Sequence, residues 1–107
     1  MTTLDNREKG FENRFAHDGD MLFKAEARRD KLLGLWLAEE MGLSGKDADN
    51  YAMSVVVSDL KEPGYEDVIG KVMADIEARD LDISRHRLDK KMEELFIEAK
   101  QQIFNEV

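Results

Sequence analysis

RLDKKMEELFIEAKQQIF, residues 87–104, sorts its side chains by one rule. Leu88, Met92, Leu95, Phe96, Ala99 and Ile103 recur at i, i+4, i+7, i+8, i+11 and i+15, which lays them along one face of an α-helix. Lys90, Lys91, Glu94, Glu98 and Gln101 fall on the other side. Asp82 or Ser84 can cap the start, because a short side-chain oxygen accepts the free amides of the first turn. A helix with a single apolar face needs other elements to cover that face.

Those elements lie upstream. GYEDVIGKVMADIEARD, residues 64–80, brings Val68, Ile69, Val72, Met73 and Ile76 to one face, with Glu66 and Asp67 in the first turn, where the helix dipole favours anions. Pro63-Gly64 separates it from the preceding segment. In SGKDADNYAMSVVVSDLK, residues 44–61, Ser44 is the expected N-cap, with Asp47 three residues on. Ala48, Tyr51, Ala52, Val55, Val56 and Leu60 then keep helical spacing. Val55-Val56-Val57 taken alone would also suit a buried strand, but the cap and the flanking pattern favour helix. DMLFKAEARRDKLLGLWLAEEMG, residues 20–42, supplies Leu32, Leu33, Trp36, Leu37 and Met41, with Asp20 as N-cap and Gly42 at the left-handed C-cap position. Trp36 is expected to be the largest core residue, and Arg28 and Arg29 to lie on the surface.

The spacing therefore predicts an all-α fold, a four-helix bundle over residues 20–107 with helices at about 20–41, 45–61, 65–80 and 84–105. Residues 1–19 precede it as a flexible N-terminal arm. The arm holds Asp5, Glu8, Glu12 and Asp18 against Arg7, Lys9 and Arg14, a net charge of 3 − 4 = −1. Gly10 costs about 1 kcal/mol relative to alanine within a helix, and a segment this short is marginal as a free helix. Yet Leu4, Phe11, Phe15 and Leu22 would form one stripe if the arm became helical. Pattern alone leaves two accounts standing: a segment that folds into a partner's groove, or a solvated tail whose phenylalanines touch the bundle loosely.

Composition narrows the function. The chain of 107 residues fits one domain and has no cysteine, which excludes a disulfide scaffold, a thiol nucleophile and thiolate metal sites. A net charge of −8 disfavours nucleic acid and anionic lipid as partners. No apolar run is long enough to cross a membrane, and the first residues do not read as a secretory signal. His17 and His86 each stand alone, whereas a transition-metal site wants three or four converging ligands. The pairs Glu39-Glu40 and Glu93-Glu94 read as solvated helix faces, and Ser54, Ser58 and Ser84 lack a nucleophile's surroundings. The residues point to a binding or regulatory protein rather than an enzyme.

DNREKGFENRFAHD, FKAEARRDKLLGLWLAEEMGL, YAMSVVVSDLKEPGYEDVIGKV and the closing helix, taken together and in order, resemble the zeta inhibitor subunit of alphaproteobacterial F-type ATP synthases. The resemblance spans essentially the whole chain. It implies a four-helix bundle with an inhibitory arm that enters a catalytic α/β interface of the synthase head, becomes helical there and approaches the γ shaft. Rotation in the hydrolysis direction is then blocked, while rotation for synthesis ejects the arm. The residues it implicates are Leu4, Arg7, Glu8, Lys9, Phe11, Glu12, Arg14, Phe15, Ala16, His17 and Asp18. It further implies a cytoplasmic protein peripheral to the inner membrane, monomeric when free and without a required cofactor, with weak adenine-nucleotide binding. A non-inhibitory structural or assembly subunit and a nucleotide-sensing bundle are the alternative functions. Asp30, where the family usually carries asparagine, is read as a surface position, and Gly19 either as a hinge between arm and bundle or as a break that prevents one continuous helix.

Overall fold

The computed structural model of the chain describes residues 19–60 and 66–106. These form four helices, α1 (Gly19–Glu40), α2 (Gly45–Asp59), α3 (Glu66–Ala78) and α4 (Arg85–Glu106), and no strand occurs among the described residues. The valine run of α2 is helical. α1 is the central element. It packs along α2 on one side and along α4 on the other, and α3 leans on α2.

The helix ends follow from local chemistry. α1 stops where Gly42 adopts φ +78°. The Leu43 amide then donates to the Ala38 carbonyl at 2.8 Å and the Gly42 amide to the Glu39 carbonyl at 3.0 Å, a Schellman closure. α3 ends the same way with a different residue. Asp80 takes φ 54°, a conformation that Asn and Asp tolerate better than other side chains. The Leu81 amide reaches the Ile76 carbonyl at 3.0 Å and the Asp80 amide the Glu77 carbonyl at 3.1 Å. Ser84 is the cap of α4, its hydroxyl accepting from the Arg87 amide at 3.1 Å. Ser44 occupies the N-cap position of α2, but its side chain makes no cap hydrogen bond. α1 begins at Gly19, so Asp20 sits in its first turn rather than at the cap.

The main core joins all four helices. Leu33 and Leu37 of α1 meet Val55 of α2, Val68, Ile69, Val72 and Ile76 of α3, and Leu88, Met92 and Leu95 of α4, with Ile83 from the connection. A smaller cluster of Met21, Ala25 and Ile103, flanked by Phe96 and Phe104, closes the end where α1 begins and α4 finishes. Burying a large aliphatic side chain contributes about 1.5–3 kcal/mol, so the fully buried Leu33, Leu37, Ile69 and Leu88 are its main anchors.

Four readings are corrected here. Trp36 is only partly buried and packs on the rim of the core. Its ring carries the Arg87 guanidinium at 5.4 Å and the Lys91 ammonium at 5.2 Å, and these cations cover its outer face. Leu60, expected on the apolar face of α2, is 58% exposed, because it follows the helix's last turn. Arg29 and Asp30, read as surface residues, are both buried. They lie on the side of α1 that α2 covers, and their burial reflects the neighbour rather than their own polarity.

Candidate functional site

Leu4, Arg7, Glu8, Lys9, Phe11, Glu12, Arg14, Phe15, Ala16, His17 and Asp18 all lie outside the described residues, as do Pro63 and Gly64. The described residues show what this arm is joined to. Its last residue precedes Gly19, the first residue of α1. A Cβ built on Gly19 meets no atom within 4 Å, so the junction is open space.

One turn further on, an open groove of about 470 Å³ runs between α1, α2 and α4. Phe23, Met53, Val56 and Ile103 give it an apolar lining, and Lys24, Arg28 and Lys31 give it a basic edge. Phe23 is 57% exposed and Met53 58%, large apolar side chains left uncovered. Val57 and Leu60 extend the exposed stripe along α2, at the i, i+4, i+7 spacing from Met53. Face periodicity missed this feature because it assigns every apolar residue to the core. The signal was the apolar residues left off the core face: Phe23 beside Leu22, and Met53 beside Ala52. Arg28 is anchored at the far end of the groove, donating to Gln102 Oε1 at 2.8 Å and pairing with Glu106 at 2.8 Å.

Two polar clusters tie the helices together. In the first, the Arg29 Nε donates to Asp30 Oδ1 at 3.2 Å, and a terminal nitrogen of the same guanidinium donates to Asp59 Oδ2 at 3.4 Å. The guanidinium also lies 5.1 Å from the centre of the Phe96 ring of α4. Burial, and a hydrogen bond to Asp59, push the Asp30 carboxyl up to about 8, against the opposing pull of Arg29. In the second, the Tyr51 hydroxyl donates to Asp75 Oδ2 at 2.8 Å, and Lys71 Nζ reaches the same oxygen at 2.7 Å. Burial and the Asp75 carboxylate push the Tyr51 phenol up. Neither cluster lines the groove described above. Among the described residues, no group of three or more histidines and carboxylates could hold a metal ion, and no helix is long and apolar enough to cross a membrane.

A helical bundle with two polar clusters between its helices, and with one groove that is apolar and basic at its edge, offers a surface suited to protein contact. The chain is a small all-helical regulatory subunit. It belongs to the ATPase inhibitor subunit zeta family, whose model matches residues 1–102 and so takes in the arm as well as the bundle. Members of that family regulate an ATPase and are not themselves enzymes; this chain accordingly acts on an ATP synthase. A structure determined by solution NMR is 45% identical to it, covers 81% of this chain and 99% of its own, and superposes with a TM-score of 0.71. No curated protein matches.

Proposed function

We propose that this chain restrains ATP hydrolysis through residues 1–19, which insert as a helix at a catalytic α/β interface of the ATP synthase head and obstruct rotation of γ in the hydrolysis direction. The observation that carries the reading is that the family match begins at residue 1 and runs through the arm into the bundle. The arm's own chemistry supports it. In helical form Leu4, Phe11 and Phe15 share one stripe, flanked by Glu8 and Glu12 on one edge and Arg7 and Arg14 on the other. Each phenylalanine contributes about 1.5–3 kcal/mol if fully buried in a partner. Lys9, Ala16, His17 and Asp18 complete the contact segment. The bundle stays outside as the arm's anchor.

Titration of the ATP synthase head with the intact chain and with Phe11→Ala/Phe15→Ala, following ATP hydrolysis, tests this. The double variant is expected to need at least a hundredfold more protein for the same inhibition. Equal inhibition by both would remove the aromatic stripe from the mechanism. Binding by both without inhibition would favour a structural subunit.

A further inference from the structure

We propose that Arg29, Asp30 and Asp59 form a proton-linked latch between α1 and α2, closed while the two carboxyl groups share one proton and loosened when that proton leaves for solvent. The argument rests on the buried geometry. Asp30 is completely buried, and its Oδ1 accepts from Arg29 at 3.2 Å. No donor among the described residues reaches its Oδ2. A buried carboxylate oxygen without a donor is costly, yet the same Arg29 guanidinium that meets Asp30 at 3.2 Å also meets Asp59 at 3.4 Å, which brings the two carboxyls together. A proton on one carboxyl lets the two groups hydrogen-bond instead of repelling, and removes the charge from the buried Asp30.

Charge counting gives the same answer. One guanidinium serves two carboxyls. With the shared proton these three groups sum to neutral; without it they carry a net negative charge centred on the fully buried Asp30. Among the described residues, the charged groups that face Asp30 are Arg29 from α1 and Asp59 from α2. From α4 the Phe96 ring packs against Arg29, and the same ring carries Lys100 at 4.7 Å. Asp59 is the last residue of α2, two turns beyond Ala52. At Ala52 the helices are locked by Gly34, where a Cβ would lie 2.5 Å from the Ala52 Cα. Loss of the proton therefore frees the C-terminal turns of α2 while the crossing at Gly34 holds.

The sign follows from linkage. A carboxyl raised from 3.8 to about 8 contributes stability that is whole below about pH 4 and is lost as pH rises towards 8. Urea unfolding of the full chain from pH 5 to 8.5 should show the folding constant falling by up to tenfold per pH unit, the one-proton limit, relative to Asp30→Asn. The asparagine amide donates to Asp59 and its oxygen accepts from Arg29 at every pH, so this variant keeps the latch closed. Asp59→Asn should flatten the profile in the same way. Parallel profiles for all three proteins would overturn the proposal. So would a carboxyl-carbon NMR titration of the unaltered chain in which Asp30 ionises near pH 4; movement near 8 is expected.

Discussion

The two polar clusters use nearly the same parts and do opposite work. Arg29–Asp30–Asp59 places one cation and two carboxyls at a dry interface between α1 and α2, with side-chain exposures of 9%, 0% and 10%. Tyr51–Lys71–Asp75 places one cation, one carboxyl and a phenol between α2 and α3, with Lys71 27% and Asp75 29% exposed. Water can replace any partner lost from the second cluster. It cannot do so in the first, where each group's state is dictated by the others. Burial, rather than the number of ion pairs, decides which cluster controls the fold.

That contrast can be broken from either side. Arg29→Met removes the counter-charge from the Asp30 and Asp59 carboxyls; a loss of about 3–5 kcal/mol is expected in urea unfolding at pH 7. A loss below 1 kcal/mol would mean that the cluster is hydrated. Gly34→Ala probes the same interface sterically. The added methyl would meet backbone of α2 at 2.5 Å, so the helices must part, at a cost of about 1–3 kcal/mol. In the exposed cluster, Tyr51→Phe deletes one hydrogen bond from Asp75, which keeps Lys71; about 0.5–1.5 kcal/mol is expected. Smallest is Arg85→Gln, which ends ion pairs to Glu66 and Asp89 at a side chain 46% exposed and should shift the midpoint by no more than about 1 kcal/mol. If the Tyr51 variant lost more than the Arg29 variant, the ranking by burial would fail.

The helices were legible because their periodicity is strong and their stops are chemical. Leu88, Met92, Leu95, Ala99 and Ile103 read as one face and are all buried, and Gly42 read as a left-handed cap and is one. What the sequence hid was pairwise. A helical pattern sorts residues by polarity, so it sent Arg29 and Asp30 to the surface. Their burial depends on Asp59, which is distant in sequence and is brought to them by the α1–α2 hairpin. Trp36 was misjudged for the converse reason, since one side of its ring packs on the core while Arg87 and Lys91 cover the other. Asp80 gave no signal as a helix stop, because aspartate adopts the left-handed conformation far less often than glycine. The arm residues were singled out by their spacing and by family resemblance, and they fall outside the described residues.

The central claim is a division of labour, with residues 1–19 acting and the bundle holding. The direct test is ATP hydrolysis by the ATP synthase head, titrated with the intact chain and with a chain beginning at Asp20. Inhibition by the intact chain and none by the shortened one, at concentrations where both are folded, is the expected result. Equal inhibition by the two would place the activity in the bundle and contradict the account.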